Sequence, residues 1–126
     1  MSSAPVRILI VDDVPIVLTS LRRVLERAGF HVTAADSGAA ALAHLAKEEA
    51  DLVVADFMMP GMNGIELLRA VKERWPRVRR AMLTAQADQE LLEEALKDGL
   101  LHAAFQKPWN NKELTESLRT LIAPVI

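Results

Sequence analysis

The chain contains no cysteine, which rules out a disulfide framework and any thiolate metal site. It also lacks a surplus of positive charge. Fifteen Lys and Arg stand against 17 Asp and Glu, giving a net charge of −2 and a pI near 5.9. That balance leaves no basic stripe with which to grip nucleic acid. No apolar run approaches the roughly 20 residues that span a bilayer. The opening Met1-Ser2-Ser3-Ala4-Pro5 has neither the basic nor the apolar region of a secretory signal. These absences predict a cytoplasmic domain with no membrane contact. At 126 residues and 51% hydrophobic, the chain can build an unstapled core and reads as a single domain over 1–126, with residues 1–5 a flexible lead.

The pattern along the chain is a strict alternation of short apolar runs and helical periods. Val6–Val11 reads as a strand. Pro15 then opens a helix with Val17, Leu21, Val24, Leu25 and Ala28 on one face, closed by Gly29. Phe30–Ala35 is a second strand, and Ser37 caps an alanine-rich helix running to about Lys47 with Leu42 and Leu45 inward. Asp51–Ala55 is a third strand. After a loop through Pro60, Gly61 and Asn63-Gly64, a helix carries Ile65, Leu68 and Val71 and stops near Trp75, because Pro76 disfavours helical geometry before it. Arg79–Thr84 is a fourth strand. Asp88 caps a helix with Leu91, Leu92, Ala95 and Leu96, closed by Gly99. His102–Gln106 is a fifth strand, and Asn110 or Asn111 caps a last helix presenting Leu114, Leu118, Leu121 and Ile122.

Five strands alternating with five helices imply right-handed crossovers and a parallel sheet covered on both faces, a doubly wound α/β fold. Periodicity does not give the strand order. The flavodoxin-like order 2-1-3-4-5 is expected because it sets Asp12 and Asp13 beside Asp56.

Four of the apolar runs stop at a polar residue of one chemical kit. Ile8-Leu9-Ile10-Val11 ends at Asp12-Asp13, Leu52-Val53-Val54-Ala55 at Asp56, Ala81-Met82-Leu83 at Thr84, and Ala103-Ala104-Phe105-Gln106 at Lys107-Pro108. Strand ends of that type deliver side chains to the carboxyl rim of an open sheet, where ligands bind. Three carboxylates, a hydroxyl and an ammonium can hold a divalent metal and a phosphoryl group together. Magnesium prefers hard oxygen ligands and retains waters, so one or two direct carboxylates suit it. A carboxylate can also be the nucleophile, forming an aspartyl phosphate. Asp56, alone at the end of a central strand, is the expected acceptor, and the Asp12-Asp13 pair the metal cradle. Lys107, and Thr84 with the backbone N–H of Ala85, would neutralise the remaining phosphoryl oxygens.

These motifs, Ile10-Val11-Asp12-Asp13, Asp56-Phe57-Met58-Met59-Pro60-Gly61-Met62-Asn63-Gly64-Ile65-Glu66, Thr84-Ala85 and Lys107-Pro108-Trp109, resemble the receiver domain of two-component response regulators over nearly the whole chain. The resemblance implies phosphoryl transfer to Asp56 from the phosphohistidine of a sensor kinase or phosphotransfer protein. Asp13 and Asp56 would ligate Mg²⁺ (or Mn²⁺) directly, Asp12 partly through water, and Met58 through its carbonyl. Lys107-Pro108 would be a cis peptide. It further implies kinase docking on the first helix near Ile16, Val17 and Thr19. Slow self-catalysed dephosphorylation would follow rather than turnover. The surface of the fourth helix, fifth strand and fifth helix would address an output domain or protein, and it offers a face for homodimerisation.

Two departures stand out. The family places an aromatic three residues before the lysine, where this chain has Ala104. Phe105, one step along, points to the opposite face and reads as core. One extra residue lies between Gly99 and Lys107, a spacing that with Lys107-Pro108-Trp109 resembles receivers attached to larger output modules.

Other readings compete. Asp12 and Asp13 are also good helix caps. His31, His44 and His102 are structural or surface residues without ligand spacing, and Met58, Met59 and Met62 read as loop packing. A degenerate receiver acting as a phosphate-independent interaction module would keep the same fold. A haloacid-dehalogenase-type phosphohydrolase would show a second Asp two residues after its nucleophile, but Asp56 is followed by Phe57-Met58.

Overall fold

The computed structural model describes residues 5–85 and 89–122. Its elements are β1 (Arg7–Val11), α1 (Pro15–Arg27), β2 (His31–Ala35), α2 (Gly38–Leu45), β3 (Leu52–Ala55), α3 (Gly64–Arg74), β4 (Arg79–Thr84), α4 (Gln89–Lys97), β5 (Ala103–Gln106) and α5 (Asn111–Ile122). All five strands are parallel, in the order β2-β1-β3-β4-β5. The flavodoxin-like order inferred from the sequence is the one observed.

The central strands are buried on both faces, so they read in sequence as unbroken apolar runs. Alternation along the strands divides the core in two. Ile8, Ile10, Leu52, Val54, Ala81 and Leu83 meet Leu21 and Leu25 of α1 and Leu114 and Leu118 of α5. Leu9, Val11, Val53, Ala55 and Met82 meet α2, α3 and α4 through Ala41, Leu45, Leu68, Val71, Leu92 and Ala95.

Local chemistry sets the helix ends. Pro15 occupies the first turn of α1, and Gly29 at φ 99° lets the chain leave after the Ala28 cap. Ser37 accepts from the Ala40 N–H. Asn110, not Asn111, caps α5 by accepting from the Glu113 N–H. Helix α2 stops at Leu45, two residues before Lys47, and β5 begins at Ala103 rather than His102. The Asp88 cap falls outside the described residues. Leu96, grouped with the inward face of α4 in the sequence, is 41% exposed. At 100° per residue α4 buries only the narrow stripe of Leu92 and Ala95.

Candidate functional site

Strand register assembles the site. Val11 pairs Ala55 across β1 and β3, so Asp12 and Asp56, one residue further on, emerge side by side. Ala55 pairs Met82 and Met82 pairs Ala104. Thr84 therefore starts one ladder step beyond the two aspartates, and Lys107 two steps, or about 6–7 Å, beyond them. Only a long side chain can reach back over that distance.

Lys107 does so. Its ammonium lies 2.5 Å from Asp12 Oδ2 and 3.5 Å from Asp56 Oδ2. Asp12 and Asp56 are both buried, and their carboxylates lie within 4.8 Å of each other and of the more open Asp13. The second oxygen of Asp12 accepts from the Val14 N–H at 2.9 Å. The helix-cap reading of Asp12 and Asp13 does not hold: the N-cap of α1 is Val14 and no side chain caps it; Asp12 instead holds the turn before the helix while also contributing to the acidic cluster. Burial pushes the Asp56 carboxyl above its usual range; Lys107 pulls it back, Asp12 pushes it up again, and the Thr84 hydroxyl hydrogen bond lowers it.

The backbone around Asp56 is tightly held. Its N–H bonds to the Val11 carbonyl, and the Gly64 N–H, opening α3, bonds to the Phe57 carbonyl. Asn63 and Glu66 form a reciprocal capping box, with bonds of 2.9 and 3.0 Å, that fixes the start of α3. The Asn63-x-x-Glu66 spacing carried that signal in the sequence. Lys107-Pro108 is cis, and the Lys107 N–H bonds to the Thr84 carbonyl.

Met58 and Ala85 sit in the exposed turns after β3 and β4. Ala104 lies on the sheet face of Met82 and packs against the α2-α3-α4 core, whereas Phe105 packs on the α1-α5 side. The carboxyl rim is also apolar: Val14, Ile16 (73% exposed) and Met58 (58%) are open to solvent there.

Sequence reading gave no special place to Arg80. Its side chain is 3% exposed and bonds to four backbone carbonyls, those of Val78 and Leu100 at 2.7 Å and those of Gly99 and Pro76 at 3.2 and 3.3 Å. The Arg80 N–H donates to His102 Nδ1 at 3.0 Å, which makes His102 structural. Burial lowers the pKa of the His102 imidazole, reinforced by Arg80 and Arg79.

Among the described residues, the three-carboxylate cluster has the donor chemistry of a site for a hard divalent cation: oxygen ligands only, and more negative charge than Lys107 alone balances.

A sequence profile of the response regulator receiver domain matches residues 8–119. The chain is 37% identical to the chemotaxis protein CheY of Pseudomonas aeruginosa, over 94% of this chain and 98% of that protein. It is 33% identical to the sporulation initiation phosphotransferase F of Bacillus subtilis, over 90% of each. The hydrogenase transcriptional regulatory protein HoxA of Cupriavidus necator is 30% identical, but the chain spans only 25% of its length. Among solved structures, a CheY-like response regulator receiver domain protein from Methanospirillum hungatei superposes with a TM-score of 0.88 at 32% identity, covering 94% of each chain.

Proposed function

The chain belongs to the response regulator receiver domain family of two-component systems, and from that premise we propose that it is a phosphorylation switch with Asp56 as acceptor. The observation that carries this reading is the meeting of Asp12, Asp13 and Asp56 within 4.8 Å, with the Lys107 ammonium on two of them. A sensor histidine kinase or phosphotransfer protein is the donor. An Asp56 carboxylate oxygen forms the new P–O bond as the P–N bond to the donor histidine breaks, and the bonding pair leaves with the imidazole nitrogen. Lys107 turns from the carboxylates to one phosphoryl oxygen, and Thr84 with the Ala85 N–H takes another.

Asp12, Asp13, Asp56 and the Met58 carbonyl would hold Mg²⁺, or Mn²⁺ in its place. When bound, the ion supplies charge neutralisation to the transferring group. The residues around Asp56 provide positioning, so the acyl phosphate hydrolyses slowly and the domain times a signal rather than turning over substrate. Movement of Thr84 and Lys107 biases the α4-β5-α5 surface toward an output domain or protein, or toward a second copy. With Ala104 where an aromatic switch would stand, that bias travels through Thr84 and α4 without a ring rotation. The setting is cytoplasmic.

Intact-protein mass after treatment with acetyl phosphate and Mg²⁺ tests the reading. One metal-dependent phosphoryl adduct, absent from Asp56→Asn, is expected. A folded protein that takes no adduct would instead be a phosphate-independent interaction module.

A further inference from the structure

We propose that copies of this chain associate head to tail, the acidic helix α4 of one seated in the basic groove between α1 and α5 of the next. This goes beyond the phosphoacceptor reading and does not rest on it.

The groove is lined by Arg23 and Arg27 of α1 and by Lys112 and Arg119 of α5, over a floor that includes Val24 and Ala28. Among the described residues no acid lines it, although acids outnumber bases in the chain, 17 to 15. Among the described residues Arg23, Arg27 and Lys112 have no ion-pair partner. By contrast Arg22, on the other side of α1, pairs with Glu26 and donates to the Val32 carbonyl. Arg119 is held in place, donating to the Ala28 carbonyl at 2.6 Å with its guanidinium over the Phe30 ring. Three unpaired cations beside a held arginine call for an occupant that brings acids.

Helix α4 has that form. Glu90, Glu93 and Glu94 are all exposed on it, and Glu93 and Glu94 have no ion-pair partner among the described residues. Its one cation, Lys97, is its last residue. Among the described residues Leu96 is one of four exposed large apolar side chains; the other three, Val14, Ile16 and Met58, lie at the carboxyl rim of the sheet. Leu96 lies three residues from Glu93 and so shares its face. Glu90 to Glu94 and Arg23 to Arg27 each span four residues, about 6 Å of helix, so the charge spacings match. At about 100° per residue Glu90, Glu93 and Glu94 share one exposed face with Leu96 at its edge, so seating that face in the groove sets the glutamates between the arginines and Lys112 and leaves Leu96 against the groove wall.

The two surfaces lie on opposite sides of the sheet, α1 and α5 on one and α4 on the other. The contact is therefore heterologous and builds a ring or an open chain, not a two-fold dimer.

Sedimentation velocity of the whole chain tests this. The mean mass should rise with protein concentration in about 0.01 M NaCl and return to the monomer in about 1 M, as the Debye length shrinks from about 30 to about 3 Å. Arg23→Glu/Arg27→Glu and Glu93→Arg/Glu94→Arg should each stay monomeric alone and associate when mixed, because each then offers the charge the other has lost. All four exchanges are at exposed positions; circular dichroism and the Asp56 phosphoryl adduct check folding and the phosphoacceptor chemistry separately. Should a reversal disturb folding, Arg23→Gln/Arg27→Gln is expected to lose association in the same way. A wild-type chain monomeric at every concentration, association indifferent to salt, or a mixture that stays monomeric would each overturn the proposal.

Discussion

Gly64 opens α3 directly over the backbone of Asp56, and replacing it with alanine sets two effects against each other. Gly→Ala in a first helical turn ordinarily stabilises by about 0.4–1 kcal/mol, because the unfolded chain loses freedom. At Gly64, however, a Cβ would overlap the Asp56 carbonyl oxygen and lie 3.0 Å from the Asp56 carbonyl carbon and from Met82 Cε. The obstacle is backbone, pinned by the bonds from Asp56 N–H to Val11 and from Gly64 N–H to Phe57. The start of α3 must lift, and overpacking of this kind costs about 1–3 kcal/mol. The clash wins, for a net loss of about 1–2 kcal/mol.

That loss corresponds to a fall in melting temperature of about 4–8 °C for a domain of this size. Phosphoryl uptake should fall further, since a displacement near 1 Å at a reacting group costs up to about a hundredfold in rate. Gly38→Ala is the matched control. Gly38 also opens a helix, but its Cβ would meet the Met62 side chain, whose Sδ at 2.8 Å can swing away and whose Cβ and Cγ at 3.1 and 3.2 Å must give only slightly, with no backbone atom in the way. It should lose clearly less stability and labelling than Gly64→Ala. Thermal melts and acetyl phosphate labelling of the two variants decide the matter. If Gly64→Ala proved as stable and as quickly labelled as Gly38→Ala, the assignment of backbone crowding at Asp56 would be refuted.

Arg80→Met should lower stability by about 3 kcal/mol in urea titrations, since it strands buried carbonyls that bond a charged group; Arg80→Lys should not rescue it, lacking the planar fork. Stability should also decline as pH falls. The pKa of His102 is lowered in the folded state by burial, Arg80 and Arg79, so the unfolded chain takes the proton first. The contribution is full above the unfolded value of about 6.5 and is lost as pH drops through it toward the folded value. A His102→Asn variant with an unchanged slope of urea midpoint against pH would contradict this. Lys107→Met should destabilise the metal-free protein by about 3–5 kcal/mol, because it leaves two buried carboxylates without their cation. It should also enlarge the thermal shift produced by Mg²⁺, and a smaller shift than wild type would count against the shared site.

The sheet was legible in the sequence because its central strands are wrapped on both faces, which turns buried parallel strands into uninterrupted apolar runs. Chemistry gave only the adjacency of the first and third strands, because Asp12, Asp13 and Asp56 can meet only if those strands are neighbours; the places of the other strands came from the fold the acids suggested. Arg80 was not legible. Next to Arg79 it looks like a solvated strand start, and its partners are carbonyls of two turns that only the folded sheet brings together. The α3 capping box was written in Asn63-x-x-Glu66 and went unread because the neighbouring Asn63-Gly64 spoke for a turn. Leu96 misled because an apolar residue at helical spacing gives no measure of how wide a stripe the helix buries.

The staggered ladder has a directional consequence. With Thr84 and Lys107 rooted one and two steps above the aspartates, the site is a skewed cup, its high wall on the β4-β5 side and its low lip at β1 and the start of α1. A group resting on Asp56 would meet Lys107 and Thr84 from the high side and the Asp12-Asp13 pair from the low one. Val14 and Ile16, both exposed, lie on the low lip. The pairing register, fixed by core packing far below the rim, thus tilts a site the core never touches.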